Sequence, residues 1–384
     1  YWQGERESAR IEKPNDLDNY EWDYTQPITG GPTEHGFDYY FGTHVPNFPP
    51  FTFIENDHVV IQPTAAYEYQ EHPDHVVMPR GFEGSPMAPD WKFEEILPEL
   101  TQRAVNYIEE QSKLDQPFFL FFSMTSPHEP VVPGKRFAGK SGIAPIADFV
   151  METDWSAGQI IEAVEQAGIA ENTLIIFTAD NGHSHYTGWE DLIAAGHMPS
   201  GPFRGHKADI WEGGHRVPFI VKWPGKVPAG SSSDQLLCIT DIFATCHQLV
   251  SDQPVPEDQA EDSFRFLDLI LGHSTNSTRD HLVSHSVHGE FAYRKDGWKI
   301  VFALPEESRQ ESRGKQAKVK LYHLAHDIAE AADSVDQYPQ LAEKLTEQLR
   351  LVVDRGSSRP GASATNDVAV DFESIQLKRW ADEL

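Results

Sequence analysis

Two short apolar runs, each followed at once by polar residues, constrain the fold of this chain more than any other feature. Residues 117–122 (PFFLFF) and 173–177 (TLIIF) have the length and composition of buried strands. Apolar residues recur at helical spacing over 93–108, before the first run, and over 149–166, between the two runs. This alternation predicts an α/β fold in which a mainly parallel sheet lies between helices.

The second run leads into Thr178-Ala179-Asp180-Asn181-Gly182-His183. Polar residues at the carboxyl end of a parallel strand lie where α/β sheets place their chemistry. Carboxylate and amide oxygens are also the ligands that Ca²⁺ or Mg²⁺ takes. Asp-Asn-Gly is equally good turn chemistry, so a purely structural turn is the alternative interpretation.

Residues 203–218 form a second candidate segment, with three cationic side chains (Arg204, Lys207 and Arg216) among several glycines. The chain has a formal net charge of -29, so a local cluster of cations is unusual in it. Glycines let the backbone approach a small ligand closely, and lysine or arginine neutralises an oxyanion. A solvated surface loop is the alternative.

A third candidate, His128, lies between two prolines in Ser126-Pro127-His128-Glu129-Pro130, just after the first apolar run. The prolines restrict the backbone on either side of the histidine, and histidine can donate a proton near neutral pH. A loop histidine with no chemical task is the alternative.

Taken together, these segments resemble the sulfatase family, the sulfuric ester hydrolases of alkaline-phosphatase-like fold, and in particular its arylsulfatase and N-acetylgalactosamine-6-sulfatase types. The matching blocks are 126–130, 178–182 and 204–218, with weaker matches at 36–42 and 219–225. They occur in the family's order, and the resemblance covers roughly residues 30–330. Agreement of three ordered motifs by chance is much rarer than agreement of one.

The resemblance implies a main sulfatase domain over residues 1–272 and a small C-terminal α+β subdomain, an antiparallel sheet with a helix, over 273–384. Within the second, Lys295-Asp296-Gly297 predicts a hairpin between two strands, and residues 338–354 predict a closing helix. Residues 356–366 are polar and predict a mobile tail. In the main domain we expect a helix over 240–250, with Thr240 as its N-cap.

The resemblance also implies roles for single residues. Asp180 and Asn181 match two ligands of a Ca²⁺ ion, which Mg²⁺ could replace, and Lys207 matches the lysine that binds the sulfate oxygens. His128 matches the histidine near the bridging ester oxygen, a candidate general acid. His183 and Arg204 are further candidates for substrate contact.

The nucleophile implied by the resemblance is a formylglycine, made from the first residue of a Cys/Ser-x-Pro/Ala-x-Arg motif. Neither Cys238 nor Cys246 fits that motif. Ser200-Gly201-Pro202-Phe203-Arg204 fits it formally, but it lies downstream of the Asp-Asn pair and leads into the lysine loop. We therefore expect a sulfatase that lacks its N-terminal part, with the nucleophile upstream of residue 1, and a chain that is inactive alone.

The composition of the chain limits the classes of binding partner that we expect. With 60 Asp and Glu against 31 Lys and Arg, the chain is a poor candidate for nucleic-acid binding. No apolar run approaches the roughly 20 residues of a membrane helix, so we expect no membrane partner. The expected substrate is a sulfated small molecule or sulfated glycan, and the family analogy implies a periplasmic or secreted location. The alternatives are an inactive anion- or glycan-binding remnant, and a phosphatase or phosphodiesterase of the same superfamily.

Overall fold

The computed structural model describes residues 22–46, 48–69, 77–251, 253–304, 316–362 and 364–374. Packing divides them into two units. The first unit holds the described residues up to Ile169 together with His185–His197, and the second holds Ala170–Ser184 and the described residues from Met198 onward. Residues 198–272 belong to the same unit as the C-terminal sheet. The domain boundary expected after residue 272 stays a prediction.

The strands and helices of the described residues follow in chain order. The strands are β1 (Phe41–Val45), β2 (Phe48–Glu55), β3 (His58–Val59), β4 (Ala65–Ala66), β5 (Pro86–Met87), β6 (Ile175–Thr178), β7 (Phe219–Lys222), β8 (His281–His285), β9 (Phe291–Lys295), β10 (Trp298–Ala303) and β11 (Lys318–His323). The helices are α1 (Ile96–Gln111), α2 (Pro145–Gln166), α3 (Trp189–Ala194), α4 (Glu212–His215), α5 (Asp241–Val250), α6 (Leu267–Ile270) and α7 (Pro339–Arg355).

Helices α1 and α2 of the first unit confirm the two helices expected from apolar spacing. Buried residues recur along α1 at intervals of three and four, because one face of the helix must leave water. Helix α2 begins four residues before its expected start, since Pro145 suits the first turn of a helix. The hydroxyls of Thr101 and Ser156 lie 2.6 Å apart between the two buried faces, so the helix pair shares a polar contact within its packing.

The small sheet of the first unit has the strand order β1-β2-β5-β4, with β3 paired to β2. Its core is aromatic: the ring of Phe51 lies 5.0 Å from that of Tyr67 and 5.1 Å from that of Phe93. The pair β2–β5 is parallel, while the other pairs of this sheet are antiparallel.

The phenylalanine-rich run 117–122 is not a strand in the structure. A strand requires a neighbouring backbone to pair its N–H and C=O groups, and no ladder among the described residues includes this run. Phe119 and Phe121 are 59% and 70% exposed. The expectation of a buried strand is therefore wrong for the described residues.

In the second unit, β6 pairs antiparallel with β7, with Ile175 opposite Lys222. The predicted strand over 173–177 is thus confirmed, but its ladder is antiparallel. The α/β class is confirmed as a mixed arrangement, and β2–β5 supplies the parallel pairing seen in the described part of the chain.

The C-terminal antiparallel sheet, in the order β11-β10-β9-β8, confirms the expected subdomain of sheet plus helix. Asp296 and Gly297 both have positive φ, at 51° and 81°, which the tight turn between β9 and β10 requires. Helix α7 buries Leu345 and Leu349 against Ile300 and Leu321 of the sheet. Gly356 ends the helix in the left-handed conformation, with φ of 71°.

Two local expectations differ from the structure. Thr240 makes no side-chain cap on α5, because its hydroxyl donates to the carbonyl of Asp262. Separately, the Asp241 carboxylate accepts the N–H of Cys238, which lies before the helix. The first part of the segment expected to be mobile is packed: Ser357 and Ser358 are buried, and Arg359 donates to the carbonyls of Pro256, Gln259 and Ala260. No helix among the described residues has the length and apolarity to span a membrane.

Candidate functional site

The pair Asp180-Asn181 follows the carboxyl end of strand β6 in the second unit, as the sequence predicts. The Asp180 carboxylate accepts the N–H of Asn181 at 3.0 Å, and the Asn181 side-chain amide donates to the carbonyl of Gly182 at 3.0 Å. Because the amide nitrogen of Asn181 is used in this turn, its oxygen remains an acceptor. Asp180 is exposed, so its carboxylate is accessible to a ligand.

Glycines bring this turn into direct contact with the basic loop, residues 203–218. The N–H of Gly182 donates to the carbonyl of Gly214 at 3.1 Å. A Cβ at Gly182 would overlap the carbonyl oxygen of Gly213, and a Cβ at Gly213 would overlap that of Gly205. The close approach of the two backbones therefore requires glycine at these positions.

Lys207 is placed by its backbone. Its N–H donates to the carbonyl of His183 at 2.8 Å, which joins two predicted site residues. The next residue, Ala208, has φ of 80°, an uncommon conformation for a residue with a side chain, and its carbonyl accepts the N–H of Val287 at 3.1 Å. Among the described residues, the Lys207 ammonium forms no ion pair, so its charge is available to an anion.

A buried ion network holds the basic loop from beneath. The Lys299 ammonium, on β10, lies 3.0 Å from the Glu212 carboxylate and 2.9 Å from that of Glu330. It also donates to the carbonyl of Ile210 at 3.0 Å. All three charged side chains are at least 90% buried, and Glu330 additionally accepts the N–H of Glu212 at 2.7 Å.

The two acids of this network differ in pKa. Burial raises the pKa of Glu212, but the positive charges of Lys299, Arg294 and Arg216 together outweigh burial and lower it to about 2. For Glu330 burial dominates over the attraction of Lys299, and its pKa is raised. The ionised form of Glu212 is therefore part of the folded structure of the loop.

Sequence reasoning missed Lys299, Glu212 and Glu330. The one available signal was a lysine within the apolar run Trp298-Lys299-Ile300-Val301-Phe302. A lysine there has to be paired, since buried charges are costly alone. Nothing in the sequence indicated partners 87 residues before it and 31 after it.

Arg204 has structural contacts in the loop. Its guanidinium stacks 3.6 Å from the centre of the Trp211 ring and donates to the carbonyl of Glu330 at 3.2 Å. Both contacts tie the loop to the network around Lys299. The predicted substrate contact of Arg204 stays a prediction beside this structural role.

Ser200, the formal match to a nucleophile motif, lies in a series of turns. Its hydroxyl donates to the carbonyl of Gly205 at 2.9 Å, within the same turn structure. No helix begins at Ser200, although the family's nucleophile segment is expected to lead into one. Ser200 therefore has a structural task in the loop.

His128 belongs to the first unit, whereas the other predicted site residues belong to the second. His128 is exposed, and its Nδ1 donates to the carbonyl of Glu129 at 2.7 Å. The hydroxyls of Ser126 and Thr153 are 2.7 Å apart, and Glu152 accepts the N–H of Gly134 at 2.7 Å. Helix α2 thus fixes both ends of the loop that carries His128.

The donors for a metal ion are of the right type but few. Asp180 and Asn181 supply the oxygen donors that Ca²⁺ takes, and the Asn181 hydrogen bond leaves its oxygen available. Ca²⁺ normally takes about six to eight oxygens. Among the described residues there is no cluster of three or more His, Cys, Asp or Glu able to hold a metal. The pair fits part of a Ca²⁺ site.

Comparison with known proteins shows the family of the chain. A sulfatase family model matches residues 21–252. The N-acetylgalactosamine-6-O-sulfatase of Bacteroides thetaiotaomicron is 32% identical over 370 residues, which cover 87% of this chain and 71% of that protein. The N-acetylgalactosamine-6-sulfatase of Canis lupus familiaris is 32% identical over 63% of this chain and 43% of its own length.

Solved structures show the same relationship. A Bacteroides thetaiotaomicron structure, described in the context of the metabolism of multiple glycosaminoglycans, matches with a TM-score of 0.73 and 30% identity. The match covers 86% of this chain and 75% of that one. The PsFucS1 sulfatase from Pseudoalteromonas sp. matches in fold, with a TM-score of 0.58 and 24% identity, over 70% of this chain and 55% of that one.

The matches thus define a chain with the alkaline-phosphatase-like fold of the sulfatases. The chain belongs to the sulfatase family. It spans 71% of the bacterial relative but less than half of the Canis lupus familiaris relative.

Proposed function

We propose that this chain is the larger part of a sulfatase that hydrolyses the sulfate ester of a sulfated carbohydrate. The observation that supports the proposal most directly is the docking of the Lys207 loop on the Asp180-Asn181 turn through Gly182 and Gly214. This docking places an unpaired cation and two oxygen donors in one unit. A sulfate ester, which is a tetrahedral monoanion, uses both kinds of group when it is bound to a cation and a metal ion.

In this proposal Lys207 binds the sulfate oxygens and stabilises the charge that develops on them in the transition state. His128, protonated, gives its proton to the bridging oxygen as the bond of that oxygen to sulfur breaks and sulfur bonds to the nucleophile, so that the alcohol leaves neutral. His183 and Arg204 are secondary candidates for contact with the substrate. The Nε2 atom of His128 suits the donor role, because Nδ1 already donates to the Glu129 carbonyl.

The cofactors are a Ca²⁺ ion, or Mg²⁺ in its place, and a formylglycine nucleophile. When bound, the ion would polarise a sulfate oxygen, and Asp180 and Asn181 would contribute to holding it. The sequence contains no cysteine in a nucleophile motif, and Ser200 has a structural task. We therefore propose that polypeptide outside residues 1–384 supplies the nucleophile and the remaining ligands.

The proposed substrate is a sulfated sugar, such as a 6-sulfated N-acetylgalactosamine, because two relatives carry the names of N-acetylgalactosamine-6-sulfatases. A periplasmic or secreted enzyme would meet such glycans directly, and we propose that location.

The test is sulfate release from 4-nitrophenyl sulfate and from N-acetylgalactosamine 6-sulfate in the presence of Ca²⁺. Residues 1–384 are compared with a version extended by the coding sequence that precedes residue 1. We expect activity in the extended version alone, and its loss in Lys207→Ala. His128→Ala should slow the sugar sulfate more than the nitrophenyl ester, whose leaving group needs less protonation. Activity of residues 1–384 alone would contradict the external nucleophile, and no activity in the extended version would contradict the sulfatase proposal.

A further inference from the structure

A cavity of about 240 Å³ lies within the first unit, lined by side chains that the proposed sulfate chemistry does not use. Glu94, Glu95 and Pro98 line it at the start of α1, residues 134–137 line it from the loop, and Glu152 and Trp155 line it from α2. The volume is just below the roughly 300–1,000 Å³ of pockets for drug-sized ligands. A single ring of monosaccharide size suits it better than a larger ligand.

The apolar side of this cavity consists of two aromatic rings beside a cation. The rings of Phe137 and Trp155 have centroids 5.8 Å apart at an angle of 47°. The Arg136 guanidinium lies 5.3 Å from each centroid, and Arg136 is exposed. An aromatic face packs against the C–H face of a sugar, and a guanidinium binds a carboxylate through two parallel hydrogen bonds.

The polar side of the cavity consists of carboxylates. Glu152 is 1% exposed, and one of its oxygens accepts the N–H of Gly134. Glu94 and Glu95 also line the cavity, from the turn before α1. Carboxylates only accept hydrogen bonds when ionised, so they match the hydroxyl donors of a sugar. Carboxylates, rings and a cation together match a sugar that has hydroxyls, a C–H face and one anionic group.

The charge of the whole chain makes the cations of this cavity significant. A net charge of -29 repels an acidic glycan at long range, so binding requires a local cation. Lys135 and Arg136 are adjacent, exposed and part of the cavity lining. The lining also includes the carboxylates of Glu94, Glu95 and Glu152, so an anionic ligand has to contact one of these cations directly.

We propose that this cavity binds one anionic sugar residue, a hexuronate, of an acidic glycan chain. The hexuronate carboxylate binds Arg136, its ring packs on Trp155, and its hydroxyls donate to the carboxylates in the lining. The inference rests on the proposed function for the class of ligand, an acidic glycan. It adds a sugar subsite that recognises a residue without the scissile sulfate.

The test is isothermal titration of residues 1–384 with an unsulfated chondroitin tetrasaccharide, which alternates hexuronate with N-acetylgalactosamine. Arg136→Gln should weaken binding about tenfold or more, since a charge-assisted bidentate contact is lost. The matched control is Lys140→Gln, which removes an exposed cation of the same loop that does not line the cavity, and should change the Kd less than about twofold. Trp155→Phe keeps an apolar ring and should weaken binding about threefold to tenfold.

The outcomes separate the two proposals. Absence of binding at millimolar tetrasaccharide, or equal weakening by Arg136→Gln and Lys140→Gln, would overturn the hexuronate site. Hydrolysis of 4-nitrophenyl sulfate by the extended version should be unchanged in Arg136→Gln, because that substrate has no hexuronate. If the unsubstituted extended version binds the tetrasaccharide but does not hydrolyse 4-nitrophenyl sulfate, the result would count against the sulfatase proposal alone.

Discussion

The loop of Lys207 and the loop of His128 carry the two predicted chemical groups, yet different forces hold them. Buried charges fix the Lys207 loop, through Lys299, Glu212 and Glu330. The His128 loop is fixed by the hydroxyl of Thr153, which bonds to that of Ser126 in the loop, and by the carboxylate of Glu152, both on the neighbouring helix α2. The first arrangement depends on residues far along the chain, and the second on residues within about one helix length.

This difference indicates how much free energy of unfolding each loop should lose when one of its contacts is removed. Removing one member of a buried ion network leaves an uncompensated charge, which costs about 3–5 kcal/mol. Removing a neutral hydrogen bond costs about 1–3 kcal/mol at most. The loop that binds the anion should therefore be the more sensitive to substitution, and the following predictions test this order.

The largest effect is expected for Lys299→Met. The substitution leaves Glu212 and Glu330 buried near each other without their shared cation, and unfolding free energy should fall by about 3–5 kcal/mol. Urea unfolding of the chain measures this fall in unfolding free energy. Lys344→Met, an exposed lysine of α7, is the control and should change stability by less than about 0.5 kcal/mol. Equal effects of the two substitutions would contradict the network.

Acid should weaken the second unit through Glu212. Its pKa is lowered from 4.5 to about 2, so its stabilisation is complete above about pH 4.5 and is lost as the pH falls towards 2. The loss is on the order of 3 kcal/mol, and protonation of Glu330, whose pKa is raised, offsets part of it. Unfolding free energies measured between about pH 5 and pH 3 should fall less steeply in Glu212→Gln. An unchanged slope would show that other carboxyls cause the acid sensitivity.

The backbone contact between the turn and the basic loop should be the next most sensitive. Gly182→Ala forces a methyl group against the carbonyl of Gly213 and should cost about 1–3 kcal/mol in thermal unfolding. Gly158→Ala is the matched control: this exposed glycine of α2 has open space around it, and alanine should stabilise the helix by about 1 kcal/mol. If both substitutions were neutral, the close approach would not exist.

The smallest effect is expected in the His128 loop. Thr153→Val keeps the shape of the side chain but leaves the buried hydroxyl of Ser126 without its partner, at a cost of about 1–2 kcal/mol. Thr346→Val on α7, whose hydroxyl bonds only to a carbonyl of its own helix, should cost less than about 0.5 kcal/mol. A cost for Thr153→Val above that for Lys299→Met would reverse the order of the two loops.

The sequence predicted those features that depend on neighbours along the chain. Apolar spacing identified α1 and α2, and Asp296-Gly297 identified the hairpin between β9 and β10, because both follow from local backbone preference. Asp180, Asn181, His183 and Lys207 were predicted by resemblance, and the structure brings them together in one unit. Their chemical roles stay predictions.

Other features could not be predicted because they depend on distant pairing. Residues 117–122 have strand composition, but composition does not specify which backbone would pair with them. The contacts that cross the boundary predicted after residue 272 could not be predicted for a similar reason. Glu212 contacts Lys299 and Glu330 across that boundary, and no local pattern identifies ionic partners so far apart.

The burial of Lys299 on β10 has a consequence for how the second unit opens. The basic loop cannot separate from the C-terminal sheet without exposing an ion pair, so the two should open as one cooperative segment, or foldon. Backbone amides of the loop that are hydrogen-bonded internally, such as that of Gly213 to the carbonyl of Arg204, should then exchange with solvent deuterium as slowly as the amides of β10. The sheet would thus slow the opening of the anion-binding loop, although it contributes none of the predicted catalytic residues.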